Sequence, residues 1–598
     1  MRQYDAVDPA PSGSLASLDS TSPRIAAIPG LSSAVFQRLM ELYEKARVPS
    51  SRSLMHNLVD ALKVTIDCSP AELGRIPKSG PVVVVANHPF GILDGAVLGA
   101  LLLEVRPDVK IVTNFLLTGV PELEQYCIFV DPFGTRTSAS FNRSGLKKSI
   151  EWLRDGGLLV MFPAGEVAHW QVRQKRVADP DWNANAARLV KRTGANVVPV
   201  FFEGSNSLPF HLMGMVHPKL RTMRLPHELL NKTGSKVALR IGSAMPASTL
   251  ETLPDDRSAT RYLRWRTELL GERGRTVQAP KLPVSLVQPR KPEEIVPPVP
   301  KTILVEEYES LGPEALLDES REYQVVAVQW EDCPSLMREV GRLREVTFRA
   351  VGEGTGAPLD LDRFDRYYTH LLLWHRQKQE VVGGYRLVDL RKTIRGQGPQ
   401  GLYTNTLFHF DPTLFEALGP AIELGRSFVR PEYQRQYGPL LMLWKGIAAY
   451  VAAHPDAPVL FGAVSISGAY SRLSRELLVK FLERSHESSC LSQFVRPRCV
   501  FRSKLVSRQE LSLLEHFNSM EELSPAIEDI ERDGKGVPIL LRQYLKLGGK
   551  LLGFNLDKEF SDALDGLIVI DLRDTDPTIL ERYMGKTALQ RFRAHHGC

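Results

Sequence analysis

Three short runs of β-branched and aliphatic residues mark the first part of the chain: Pro81–Ala86, Leu158–Phe162 and Val197–Phe202. Helical patterns precede the second and third. Gly145–Asp155 repeats Leu, Ile and Trp at helical spacing, and Asn183–Arg192 stops ahead of Gly194. Buried strands alternating with amphipathic helices predict a layered α/β domain. A second series follows, with strand-like QVVAVQW and EVVGGYRLVDL and helix-like MREVGRLREVTFRA and LLMLWKGIAAYVAA. No internal repeat relates the two series, so the fold class predicted is α/β with two different α/β domains.

Between them, residues 277–301 hold seven prolines and almost no apolar periodicity, which predicts an extended, semi-rigid connector. The expected organisation is a flexible tail over 1–30, a first domain over 31–276, the connector at 277–301, and a second domain with a C-terminal extension over 302–598. A length of 598 residues suits more than one domain. The opening MRQYDAVDPAPSGSLASLDSTSP carries acids and prolines where an export signal needs an apolar core, so a cytoplasmic tail is expected. The most apolar stretch, Pro81–Val105, is long enough to cross a bilayer but contains Asn87, His88, Asp94 and Glu104. Polar groups are costly in hydrocarbon, so a strand, a turn and a helix are expected there.

Composition narrows the partners. With 43% hydrophobic and 24% charged residues the chain is neither disordered nor fibrous. Residues 1–300 carry 37 Lys+Arg against 28 Asp+Glu, an excess of nine positive charges, whereas residues 301–598 carry 38 against 41. The basic half suits an anionic membrane surface, an acidic carrier protein or nucleic acid. The six cysteines form no C-x-x-C and no zinc spacing, so no metal is expected.

In VVVVANHPFGILDG a buried strand ends at Asn87-His88, and Asp94 follows six positions after the histidine. A carboxylate on one imidazole nitrogen fixes the tautomer and raises the basicity of the other, which can then take a proton from a hydroxyl nucleophile. Here the sequence resembles the glycerolipid acyltransferase superfamily, in its hemolysin-like branch, although five residues separate His and Asp where the hallmark has four. Three more blocks follow in that family's order: CIFVDPFGTR, FPAGE and VVPVF. The resemblance covers about residues 35–245. It implies His88 and Asp94 as catalytic residues, with Asn87, Arg136 and Glu166 at the acceptor; Glu166 follows its glycine, where the family's glutamate precedes it. The fork of Arg136 suits a carboxylate or phosphate. QVRQKR, with Arg173, Lys175 and Arg176, reads as solvated surface ahead of a docking patch.

The second chemical region is PAIELGRSFVRPEYQRQYGPLLMLWKG: a strand bearing Glu423 and Arg426, a turn near Pro431, then Arg435 and Gly438 ahead of an apolar helix. A helix N-terminus behind a glycine turn binds anions. This resembles the central strand and phosphate loop of GNAT N-acyltransferases, with Leu440 where a small residue is usual. ELGRSFVRP is similar to the branch that takes long acyl groups from acyl carrier protein, over about residues 322–585. Glu423 is the candidate to bind the acceptor ammonium or relay its proton. Arg426 either holds the amino acid's carboxylate or pairs with Glu423.

Together the halves resemble bifunctional ornithine-lipid synthases. The resemblance implies N-acylation of ornithine with a 3-hydroxyacyl chain by the second half, then O-acylation of the 3-hydroxyl of the lyso-lipid by the first. It implies acyl carrier protein or coenzyme A thioesters as donors, no bound cofactor, no nucleic-acid partner, and a peripheral place on the inner face of the cell membrane. The alternatives are another aminolipid such as glycine lipid, a lysophospholipid acyltransferase joined to an unrelated N-acyltransferase, or a membrane-binding scaffold.

Overall fold

In a computed structural model the chain divides into two compact units, Met1–Glu272 and Arg273–Cys598. The structure describes residues 32–597 apart from 48–51, 132–137, 173, 274–291, 487–489, 503–513, 515–516, 518 and 559. The expected tail at 1–30, residues 277–291 of the expected connector, Arg136 and Arg173 lie outside the described residues. Residues 292–300 have no regular structure and lead into a helix at Lys301–Glu309.

The first unit is built on β1 (Thr65–Asp67), β2 (Val82–Ala86), β3 (Val109–Asn114), β4 (Cys127–Val130), β5 (Leu158–Met161), β8 (Asn196–Phe202) and β9 (Lys236–Ile241), with β6 (His169–Gln171) and β7 (Arg176–Ala178) as a separate hairpin. The sheet order is β1-β9-β8-β2-β5-β3-β4. In its middle, β2 pairs in parallel with β5 on one side and β8 on the other. Every residue of β2 is buried, as expected for a central parallel strand covered on both faces, and VVVVA accordingly shows no alternation. Val82, Val84, Leu93, Val97, Leu98, Val198 and Val200 share one core cluster. Each such side chain contributes roughly 1.5–3 kcal/mol by leaving water.

The apolar stretch to Val105 resolves into β2, a turn and the helix Ile92–Val105, and no described helix is long and apolar enough to cross a membrane. The helix Asn185–Thr193 stops at Gly194, whose φ of +69° makes the left-handed turn that closes it.

The second unit carries an eight-stranded sheet of β10 (Leu316–Glu319), β11 (Tyr323–Val328), β12 (Thr369–His375), β13 (Glu380–Asp389), β15 (Ala421–Val429), β16 (Val459–Ile466), β18 (Lys550–Asp557) and β19 (Ala563–Asp571). β14 (Phe408–Phe410) and β17 (Val495–Pro497) pair apart from it. Its order is β10-β11-β12-β13-β15-β16-β19-β18. All neighbours are antiparallel except β15 and β16. Those two bond only where Ala421–Leu424 faces Val459–Gly462. β15 nevertheless runs on to Val429, while β16 stays paired to β19 as far as Ile466. The sheet therefore forks after Leu424 and Gly462. On the other side of β15, the pairing with β13 slips between Gly384 and Arg386, and Arg426 takes a φ of +47°. Such a bulge re-aims the side chains of its strand.

Candidate active sites

In the first unit His88 stands just past the C-terminal end of β2. Its Nδ1 lies 2.9 Å from Asp94 Oδ2, and Asp94 is fully buried while His88 keeps 19% of its side chain exposed. The same Oδ2 accepts the backbone N–H groups of Phe90 (2.8 Å) and Gly91 (3.0 Å), so Asp94 caps its own helix while holding the imidazole. The five-residue spacing is accommodated by Gly91 at φ +82° and ψ −124°, a conformation open to glycine alone. Burial raises the Asp94 carboxyl above its ordinary range, and the bonds from His88, Phe90 and Gly91 pull it back. The opposite nitrogen of His88 is left for a proton from an acceptor.

The FPAGE block supplies the wall. Phe162 stacks on the His88 ring with centroids 4.3 Å apart. The turn after it is pinned by Asn183 Nδ2 donating to Pro163 O at 2.6 Å. Glu166 forms an ion pair with Arg221 at 2.6 Å and remains 59% exposed. The Asn87 amide donates to Phe202 O (3.0 Å) and accepts from Phe202 N–H (2.7 Å), continuing the β2–β8 ladder past the end of the strand. The spacing gave no sign of Asp179, a buried carboxylate that accepts the His88 backbone N–H at 3.2 Å and the Trp182 indole N–H at 2.9 Å. Burial pushes its carboxyl up to about 6, against the pull of those two bonds.

In the second unit Glu423 lies on β15 within the paired segment. It is 1% exposed, and its carboxylate accepts the Tyr368 hydroxyl, the Tyr403 N–H (3.1 Å) and the Thr404 N–H (2.7 Å). Burial raises it. These three bonds anchor the segment 403–406 to the sheet. Glu423 does not pair with Arg426. The acids nearest that guanidinium are Asp360 (3.6 Å) and Asp362 (3.7 Å), beyond hydrogen-bond length. The bulge separates the two residues: Glu423 stays on the paired rung, and Arg426 turns over the rings of Tyr403 (5.1 Å) and Phe560 (4.8 Å).

Arg435 is exposed just ahead of the helix Tyr437–Ala453, and Gly438 lies inside its first turn, one residue later than a glycine turn preceding the helix. The helix starts without a side-chain cap, leaving its first N–H groups for an anion. At the crotch of the fork Leu424, Phe461, Gly462, Ala463, Tyr544 and Ile568 line a small apolar hollow. Among the described residues no cluster of His, Cys, Asp and Glu is arranged to hold a metal.

Comparison with known proteins follows the same division. Residues 41–274 match the family model Acyltransferase, and residues 343–445 match Acetyltransferase (GNAT) domain. A "Glycine N(alpha)-acyltransferase" of Bacteroides thetaiotaomicron is 31% identical over 46% of this chain and 86% of its own length. An "L-ornithine N(alpha)-acyltransferase" of Rhodobacter capsulatus is 29% identical over 39% of the chain and 85% of its length. A "Lyso-glycine lipid O-acyltransferase" of Phocaeicola vulgatus is 27% identical over 30% of the chain and 64% of its length. With one acyltransferase model on each unit and most of the Bacteroides protein matched, this chain is an acyltransferase and belongs to the family of that glycine N-acyltransferase.

Proposed function

We propose that the chain makes a two-acyl aminolipid, ornithine lipid, in two steps. The second unit joins the α-amine of ornithine to a 3-hydroxyacyl chain taken from an acyl carrier protein or coenzyme A thioester. The first unit then transfers a second acyl chain to the 3-hydroxyl of that lyso-lipid. The observation that carries this reading is the His88–Asp94 pair at the mouth of β2: an imidazole held on Nδ1 by a buried carboxylate is built to deprotonate a hydroxyl. The N-acyltransferase and O-acyltransferase names among the relatives support it.

In the O-acyl step His88 takes the hydroxyl proton as the oxygen attacks the thioester carbonyl, and the thiol leaves. Asp94 keeps Nδ1 protonated and steadies the imidazolium. Arg136 and Glu166 are assigned to the acceptor, and Arg435 with Gly438 to the donor's phosphate. The protein sits on the cytoplasmic face of the membrane through its basic half.

Glycine as the head group is a second reading, favoured by the two glycine N-acyltransferases among the relatives. Lipid mass spectrometry of a host expressing the chain, fed isotope-labelled ornithine or glycine, decides between them. A labelled ornithine amide with an ester-linked second chain is the expected product. Label from glycine alone replaces ornithine with glycine, and no labelled lipid from either overturns the aminolipid reading.

A further inference from the structure

Glu423 is buried and its carboxylate already accepts three donors. The fork offers another carboxylate. Past Gly462, β16 and β19 continue as a pair, with Ser465 opposite Asp565, and this wall stands where β15 no longer bonds to β16. Asp565 is 4% exposed and accepts the Ser465 hydroxyl at 2.6 Å. Ser465 itself is exposed, so the pair reaches the opening. The bulged strand brings Arg426 towards the same region: its guanidinium lies over Phe560, three residues before the start of β19, and over Tyr403. Buried Nε of Arg426 has no hydrogen-bond partner, and the guanidinium meets Asp360 and Asp362 only in long ion pairs of 3.6 and 3.7 Å. A buried guanidinium N–H without an acceptor is costly unless a ligand completes it.

We infer that Arg426 and Asp565 form the acceptor subsite of the second unit, Arg426 taking the α-carboxylate of the amino acid and Asp565 its α-ammonium. This rests on the reading that the second unit N-acylates an amino acid. Asp565 removes one proton from the ammonium. The free amine nitrogen then attacks the thioester carbonyl, the C–N bond forms, the C–S bond breaks, and the second amine proton leaves with the thiol. Burial, with Asp557 on β18 and Glu353 after the helix Pro334–Ala350 adding to it, pushes the Asp565 carboxyl up to about 7; the Ser465 bond and the Arg426 charge oppose the rise. Asn555 on β18 is its other cross-strand neighbour and carries no charge. A base tuned near neutrality suits an amine whose proton must be both taken and passed on.

The test uses the purified full chain with a 3-hydroxyacyl thioester and ornithine or glycine, measuring amide formation against pH. Asp565→Asn is expected to lower kcat/KM by about 100-fold or more and to abolish the rise in rate through about pH 7. Arg426→Lys is expected to raise KM for the amino acid more than it lowers kcat, because a point charge replaces a fork. Ser465→Ala removes one bond from an exposed side chain and moves the acid limb to higher pH. An unshifted limb in Ser465→Ala, or parental rates in Asp565→Asn, overturns the assignment even if another variant unfolds. If the parent chain forms no amide with any amino acid, the failure belongs to the proposed function instead.

Discussion

At the residue scale, the chemistry proposed for the first unit rests on a pair, and the pair can be split. His88→Ala is expected to leave a mono-acylated lyso-aminolipid accumulating, with the ester-bearing product reduced by roughly 10²–10⁴-fold, the contribution of a positioned base. Mass spectrometry of lipids from the variant host reads both species, and a normal diacyl product removes His88 from the mechanism. Asp179 allows a different test. Its carboxyl is held near 6 when folded against about 3.9 when unfolded. A raised acid binds its proton in the folded state over a window where the unfolded chain has lost it, so stability falls as pH rises from about 4 to about 6 and stays lowered above that. Asp179→Asn removes this dependence. Melting the two proteins side by side should show the variant gaining about 2–3 kcal/mol relative to the parent across that window. A constant difference would falsify the assignment of Asp179 as a strained, buried acid beneath the His88 loop. The His88–Asp94 contact was legible in the sequence because a loop of five residues fixes both ends locally. Asp179 was not, because it arrives from ninety residues away with no motif around it.

At the element scale, the fork in the second sheet depends on where β15 and β16 stop bonding. Gly462 is the last residue of β16 paired with β15, and a Cβ there would lie 2.2 Å from the Leu424 carbonyl oxygen. Backbone cannot yield as a flexible side chain can, so Gly462→Ala is expected to push the strands apart at the crotch. Amide formation should fall steeply and the second unit should lose about 2–4 kcal/mol, within the range of disruptive core substitutions. Urea titration beside an assay of lyso-lipid formation checks this, and parental behaviour in both would show that the crotch tolerates the methyl. The strands themselves could be read from composition: Val82–Ala86, Leu158–Met161 and Asn196–Phe202 form where the β-branched runs lie, because burial on both faces demands such residues. Strand order could not be read. That β16 parts from β15 while staying paired with β19 depends on residues about a hundred positions further on, and ELGRSFVRP shows no sign that a bulge separates Glu423 from Arg426. Periodicity placed the pair on one strand, and the positive φ at Arg426 undid the inference that they touch.

At the scale of the whole molecule, the two proposed chemistries are ordered by their substrates. The hydroxyl that His88 is proposed to activate belongs to a chain the second unit has already attached, so loss of the second unit's acceptor site abolishes both lyso-lipid and diacyl product, whereas loss of His88 abolishes only the latter. The nine excess positive charges of residues 1–300 suit a surface of anionic lipid, and no described helix can cross a bilayer. Attachment should therefore weaken with salt, since a Debye length of about 10 Å at 0.1 M shrinks to about 3 Å at 1 M. Retention on membranes through both 1 M salt and alkaline washing rules out a peripheral attachment dominated by charge. The asymmetry gives the stricter test. Synthetic lyso-lipid supplied to the Asp565→Asn protein should restore the diacyl product at the parental rate, because the His88 site draws its residues from the first unit alone. The same lipid supplied to His88→Ala should remain unchanged. A double variant should behave as the sum of the two, making no amide and no ester. If Asp565→Asn fails to esterify the added lyso-lipid while its first unit melts normally, the two sites communicate, and the order of steps is enforced by the protein as well as by the chemistry of its intermediate.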